Sequence, residues 1–425
     1  MRFSGPILDE ATEMETNTVR IAIWRLGITV VIAISAGGCG PMEVVPGSSI
    51  TAPIPAGSGC SAISVTAEGR GIFGANLDYQ LHSRGQLFFN KRGVHKSGTI
   101  PSTGGIYADW VSSYASLTFN FVGYQFAWSG MNEKGLAMST MAFPQTVVPS
   151  PDDRPVVDSG FWMQYILDTC ASIDDVIAAD AMVRNITVDH YLVTDRSGAS
   201  AVIEYLDGEL VVHTGDDLPV SVLANWFYDD SLLWWRAYRN SGDYSRMDSS
   251  LQRFCIAADR VSSFEETTTE EAIAYAFDTL DAIAAERFSN SASQWSMVFD
   301  TRALRVYFKT LANPNLRFVD LGEFSRWCEH PVQMLDIDAP LAGDVSPWFS
   351  DYSHSEARDH LHWFINFWET NATTAWADQM LDHFEGFSCE PRPRTRRVTG
   401  GRVTSGGVPQ SYSDRQRNDE SSSHE

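Results

Sequence analysis

Basic residues are scarce in this chain. It has 31 Lys and Arg against 54 Asp and Glu, a formal net charge of −23. The last 35 residues hold seven Arg and four acids and the first 59 hold three Arg and five acids, which leaves 21 basic and 45 acidic residues in the body. So acidic a body repels phosphate backbones, which argues against nucleic acid as a partner. Long apolar runs are also missing: the longest, Leu26–Ala36, has eleven residues, too few to span a bilayer comfortably. No GxGxxG or Walker loop occurs, and no HExxH, so the usual dinucleotide, nucleoside triphosphate and zinc signatures are absent. The six cysteines, at 39, 60, 170, 255, 328 and 389, are too widely and irregularly spaced for CxxC zinc pairs. No cofactor and no metal are expected, and no internal repeat is evident.

What the chain does have begins with an export-like leader. Arg20 and Arg25 precede the apolar run, and the small residues Gly37 and Gly38 follow it before Cys39, a secretory signal pattern. The acidic first nineteen residues are unlike a signal n-region, which points to a start at Met14 or near Val19. Ala36-Gly-Gly-Cys39 resembles a bacterial lipoprotein cleavage box and would put a lipid anchor on Cys39 before maturation. Residues 40–59 are rich in Gly, Pro and Ser and read as an unstructured leader. Export to the periplasm or cell envelope of a bacterium follows as an expectation. If Cys39 is leader and Cys60 catalytic, the other four cysteines allow three pairings. Cys170 and Cys255, each in an apolar helical context, read more simply as buried thiols.

Beyond the leader, 44% hydrophobic residues and 13 Trp suffice for a large core. Strands are expected at 61–65, 72–76, 191–194, 201–205, 210–213, 295–299 and 304–309, with turns at Asp195–Gly198, Asp207-Gly208 and Asp300–Ala303. Helices are expected over 161–182 and 270–286, the second opened by a capping box of Thr268 and Glu271. Paired strands alternating with single long helices indicate an α+β fold with helices on antiparallel sheets, not a doubly wound parallel sheet. His360 and His362 do not share a helical face, which argues against a metal site there. The aromatic stretches Trp226–Tyr228 with Trp234-Trp235, and Trp363 to Trp368, read as core, the second in a helical segment to which the sequence assigns no role. The tail from Pro391 to Glu425, with Arg392–Arg397 running into Gly, Ser and Asp, reads as disordered.

Cys60 follows Gly-Ser-Gly, opens an expected strand and precedes Asp78 by eighteen residues. A cysteine at a new N-terminus would carry a thiol nucleophile and its own α-amine as base, with no histidine needed. In chain order come Cys60, Phe73–Asp78, Gly130–Ala137, Phe143-Pro144, Asp195–Gly198, Val202–Tyr205, Val222–Asn225, Ser250–Phe254, Trp295–Asp300, Val306–Thr310, Met334–Asp336 and Gly343–Ser346. Each alone is a weak signal. The ordered set resembles the choloylglycine hydrolase and penicillin V acylase family of N-terminal nucleophile hydrolases.

That resemblance implies a four-layer αββα sandwich and hydrolysis of linear C–N amide bonds. Its substrates would be small N-acyl amides such as conjugated bile salts, penicillin V or acyl-homoserine lactones. It implies removal of residues 1–59, a hydrolase domain over 60–365, a helical extension over 366–390 and, as in relatives, a homotetramer. Carried over residue by residue, Cys60 would be the nucleophile, Asp78 would hold the α-ammonium, Arg253 would favour the thiolate and Asn225 would serve the oxyanion. Ala142, Phe143, Trp226 and Tyr79 would border the substrate pocket. Two positions depart from the family pattern: Ala75 stands where an arginine is usual and Ala142 where an asparagine is. Arg70 is the nearest candidate to replace the lost guanidinium. The depleted surroundings leave a second reading open, a catalytically degenerate envelope protein of the same fold that binds an amphiphile or a partner. A third is an exported globular lipoprotein with Cys60 in a disulfide.

Overall fold

The computed structural model describes residues 59–390 apart from 81, 99–105, 158–159 and 368–371. The signal, lipobox and start-codon readings, and the basic tail, fall outside the described residues. Among the described residues no helix is long and apolar enough to cross a membrane.

Two sheets form the centre. The first has seven strands in the order Val222–Leu223, Gly59–Ala67, Arg70–Tyr79, Ala292–Asp300, Arg305–Thr310, Arg317–Asp320 and Gly343–Asp344. Gly59–Ala67 (β1) and Arg70–Tyr79 (β2) are its hairpin, with Ala67 opposite Arg70 and Gly59 opposite Asp78. The second sheet has nine strands, running from Glu209–Thr214 through Ser200–Leu206, Asp189–Thr194, Ala137–Ala142, Ala127–Asn132, Ser116–Asn120, Gln86–Asn90 and Gln333–Asp336 to Ser350–Asp351. All seven expected strands are present within a few residues. Four of the additional strands of the second sheet lie between residues 86 and 142. Their side chains are buried almost without interruption, so the sequence shows no period-two alternation to mark them.

Seven helices are described: α1 (Trp162–Thr169), α2 (Ile173–Ala179), α3 (Tyr228–Tyr238), α4 (Ser249–Ser262), α5 (Thr269–Ala282), α6 (His354–Phe367) and α7 (Thr374–Glu385). Helices α4 and α5 cover the outer face of the seven-stranded sheet, the two sheets pack together through β1 and β2, and α1 covers the outside of the nine-stranded sheet. The order helix, sheet, sheet, helix is the expected αββα sandwich. The capping box of Thr268 and Glu271 opens α5. The single helix expected over 161–182 is instead two. Ser172 and Asp175 form a reciprocal capping box that starts a new helix, and Cys170 is extended, with its carbonyl taken by the Asn132 amide at 2.7 Å.

Cys328 and Cys389 form a disulfide, while Cys170 and Cys255 are buried free thiols, as their apolar contexts suggested. Cys60 is also free, which removes the reading in which it is bridged. The disulfide fastens the end of an α6–α7 hairpin to the body. Phe384 of α7 packs edge-on against Tyr124, Phe126 and Phe161, and Phe364 of α6 packs edge-on against Phe121 at 5.2 Å.

Candidate active site

β1 and β2 are paired along their whole length, so Cys60 sits at one end of the sheet beside Leu77 and Asp78. On the outer face, Asp248 caps α4 and the helix then delivers Arg253, which is only 2% exposed. Its Nη1 donates to the Cys60 carbonyl at 2.6 Å and to the Ser61 hydroxyl, its Nη2 donates to Asn225 Oδ1 at 3.0 Å, and Nη1 lies 3.5 Å from Asp78 Oδ2. Asn225 Oδ1 also accepts from the Cys60 backbone nitrogen at 2.7 Å, while its Nδ2 donates to the Ala142 carbonyl at 2.8 Å. Cys60, Asp78, Asn225 and Arg253 are thus brought together.

Gly59 has a specific reason to be glycine. A Cβ there would lie 2.5 Å from Arg253 Nη2 and 2.9 Å from its Cζ, so a side chain would displace the guanidinium that organises the cluster. Asp78 Oδ1 accepts from the Ser293 hydroxyl at 2.6 Å. Its Oδ2 is buried without a hydrogen-bond donor among the described residues. That leaves an acceptor beside the Gly59–Cys60 peptide, where a cationic amine would be satisfied.

The electrostatics follow from burial. The Cys60 thiol is pushed up to about 12, by desolvation and then by the Asp78 charge, against a hydrogen bond from the Asp78 backbone and the pull of Arg253. It is therefore a neutral thiol in the uncut chain. Burial also lifts the Asp78 carboxyl to about 6, against the opposing effects of Arg253 and Ser293.

Cys60 opens onto a cavity of about 150 Å³. Phe121, Val122, Phe126, Trp128, Met163 and Phe364 give it an apolar and largely aromatic lining. Tyr79 and Ala142 line it too. Phe143 and Trp226 do not: Phe143 turns away to stack on His190 with ring centroids 4.4 Å apart, and Trp226 packs edge-on against Phe227. Ala75 is fully buried on the sheet face that carries Cys60 and Leu77. Arg70 does not compensate for it. It lies at the opposite end of β2, roughly 26 Å from Asp78 at ~3.3 Å per residue, and pairs with Asp300 and Glu68.

Sequence reasoning missed several contributors. Ser250 Oγ accepts from the Asn225 backbone nitrogen at 2.9 Å. Glu204 accepts from His190 Nδ1 at 3.0 Å, from His213 Nε2 at 3.3 Å and from the Tyr228 backbone, while His190 Nε2 donates to the Ala224 carbonyl at 2.6 Å. A carbonyl can only accept, so Nε2 carries a hydrogen, and the contact from Nδ1 to Glu204 holds one more shared proton. This buried pair props the peptide immediately before Asn225. Asp189 and Phe364 also line the cavity. Glu204 and Ser250 had a sequence signal, as parts of Val202–Tyr205 and Ser250–Phe254; the others depend on which strands and helices meet.

The profile of linear amide C-N hydrolases, choloylglycine hydrolase family, matches residues 60–270. The chain belongs to the choloylglycine hydrolase family. The match begins at Cys60, the residue around which the buried cluster is built. Penicillin V acylase of Pectobacterium atrosepticum is 23% identical over 295 residues, covering 60% of this chain and 78% of that protein. Among solved structures, penicillin V acylase from Agrobacterium tumefaciens superposes with a TM-score of 0.61 at 22% identity, covering 69% of this chain and 98% of the other. A variant of conjugated bile acid hydrolase from Clostridium perfringens gives 0.56 at 16%, covering 67% and 98%. These likenesses establish the sandwich as that of choloylglycine hydrolases. As a member of this family the protein is an amidohydrolase acting on linear amides.

Proposed function

We propose that the protein hydrolyses N-acyl amides with Cys60 as an N-terminal nucleophile. The observation that carries this is the convergence of Cys60, Asp78, Asn225 and Arg253 at the mouth of an apolar cavity, with Gly59 fitted against Arg253. Cleavage between Gly59 and Cys60 turns the amide nitrogen bound by Asn225 into an α-amine. That amine normally titrates near ~8, close to a free thiol, and the ammonium charge formed beside the sulfur opposes the burial that holds the uncut thiol at about 12, which lowers the cost of proton transfer from the sulfur to it. Asp78 Oδ2, the unfilled acceptor, would hold the resulting ammonium. The thiolate attacks the amide carbonyl, the amine leaves with a proton, and water cleaves the thioester. Asn225 spends one amide hydrogen on Ala142 and keeps the other for the oxyanion, a donor type worth ~10²–10³ in rate. The apolar aromatic lining suits an acyl or aryl group, as in conjugated bile salts, penicillin V or acyl-homoserine lactones. We assign the uncut thiol, neutral because it is buried, to an inactive precursor that is exported before or during maturation.

Intact-mass measurement of purified protein tests this directly. A chain beginning at Cys60 is expected, and Cys60→Ser should abolish turnover of a chromogenic amide panel. A mature protein that keeps Gly59, or undiminished turnover by Cys60→Ser, would sink the mechanism. The rival reading, a degenerate binder of amphiphiles, rests on Ala75 and Ala142, which take a cation and an amide from the surroundings of Cys60. It predicts ligand uptake by the cavity with no hydrolysis of any amide tested.

A further inference from the structure

Asp189 is the cavity group that the proposed mechanism leaves unused. It begins the strand Asp189–Thr194 and stands directly opposite Ala142 in the antiparallel register, both residues facing the cavity that holds Cys60. Cross-strand partners bring their Cβ atoms to about 5 Å, so its carboxyl flanks the backbone carbonyl that anchors the Asn225 amide. Its charge reaches the nucleophile and is one of the influences that raise the Cys60 thiol. The lining contains two carboxylic acids, Asp78 and Asp189, and no Lys, Arg or His among the described residues. Asp78 is engaged by Arg253 and Ser293. Asp189 makes no ion pair among the described residues.

We propose that Asp189 sets a charge rule for the substrate: the enzyme takes N-acyl amides whose amine portion is neutral or cationic and disfavours those whose amine portion brings a carboxylate or sulfonate close to Asp189. This rests on the reading of Cys60 as the hydrolytic centre and narrows its substrate class. An anion about 6 Å from an unpaired carboxylate, at an effective dielectric of about 20, is disfavoured by roughly 100-fold in binding. Asp189 is lifted to about 7 by burial, with Thr140 opposing. The groups facing it are Cys60 from β1, Asp78 and Tyr79 from β2, Thr140 from the neighbouring strand and Tyr191 from its own, none of them a base. A raised carboxyl is neutral below its own value and charged above it, so discrimination sets in as the pH rises through about 7.

Three phenylacetyl amides with one acyl group test the rule: the glycine conjugate (anionic), the glycinamide conjugate (neutral) and the mono-amide of ethylenediamine (cationic). With full-length expressed and matured protein at pH 8, kcat/KM for the neutral and cationic amides is expected to exceed that of the glycine conjugate about 100-fold, with the gap shrinking at pH 6. Asp189→Asn should bring the three within a few-fold at both pH values, with its Tm measured alongside as a folding check. A glycine conjugate hydrolysed as well as the neutral amide at pH 8, or a preference unmoved by Asp189→Asn, overturns the proposal. Calorimetric binding of the same three to Cys60→Ala separates the two failures. The same affinity order without any wild-type turnover refutes the hydrolytic reading and upholds the charge rule. An order blind to charge, or no binding of any of the three, refutes the charge rule itself.

Discussion

Replacing Arg253 by Met removes a buried cation while nearly preserving its volume. The guanidinium holds the Cys60 carbonyl, the Ser61 hydroxyl and Asn225 Oδ1, and it is the main charge opposing the rise of Asp78. With Arg253 present, Asp78 sits at about 6 rather than 3.8, a native-state penalty on the order of 3 kcal/mol above pH 6. Without Arg253 the carboxyl rises further and stays protonated through neutrality. Below the unfolded value near ~3.9 both states are protonated and Asp78 contributes nothing. Between there and pH 6 wild type and variant lose stability in parallel. Above pH 6 the wild type levels off and the variant continues to lose about 1.4 kcal/mol per pH unit. The lost hydrogen bonds add a pH-independent ~1–3 kcal/mol. Urea unfolding at pH 5, 6, 7 and 8 should therefore show a gap that is modest and constant at low pH and widens above 6. Adding Asp78→Asn to Arg253→Met should abolish the widening. A gap that stays constant up to pH 8 would refute the coupling between Asp78 and Arg253.

Three further outcomes are expected. Glu204 is buried, which alone would raise it, but His190 and His213 pull its carboxyl down to about 2. Its lowered value gives stability that is full above about 4.5 and lost as the pH falls towards 2, on the order of 3 kcal/mol. Glu204→Gln should flatten that part of an acid-unfolding curve, while curves of equal slope would count against the network. Reducing the disulfide, or Cys389→Ser, opens a loop of 61 residues, and the chain-entropy treatment gives a loss of about 4 kcal/mol, readable as a lower urea midpoint. Phe364→Ala removes an aromatic wall of the cavity, costs ~3 kcal/mol in stability and should raise KM for aryl-acyl amides more than it lowers kcat. An unchanged KM would mean that α6 does not meet the acyl group.

Much of the site was legible because its residues lie in short motifs of fixed chemistry. Cys60, Asp78, Asn225 and Arg253 stood out in this way, and the structure brings them together from two strands, a loop and a helix. The expected strands are those flanked by Asp-rich turns such as Asp207-Gly208, where both residues have positive φ. The strands Gln86–Asn90, Ser116–Asn120, Ala127–Asn132 and Ala137–Ala142 were illegible because both their faces are buried. The capping box of Ser172 and Asp175 was a local cue to a new helix, but what ends the first one, Asn132 on another strand taking the Cys170 carbonyl, is tertiary. Asp189 and Phe364 carry no local signal of a pocket. The first counts only because it falls opposite Ala142, the second only because the α6–α7 hairpin is fastened back over Phe121. Arg70 misled through proximity in sequence: in a hairpin, the residues nearest the turn are the farthest from the open end.

The missing side chain at Gly59 has a consequence for how this protein is engineered. Under the proposed maturation, the position most constrained by Arg253 belongs to a residue that the working enzyme discards. Natural variation there would then report on the assembly of the precursor and carry no information about turnover. A gene that starts at Met followed directly by Cys60 would hand the release of the amine to the host's methionine aminopeptidase, so the steric demand at 59 would disappear along with the leader. Libraries built in that format would be free of a constraint that every full-length clone must obey.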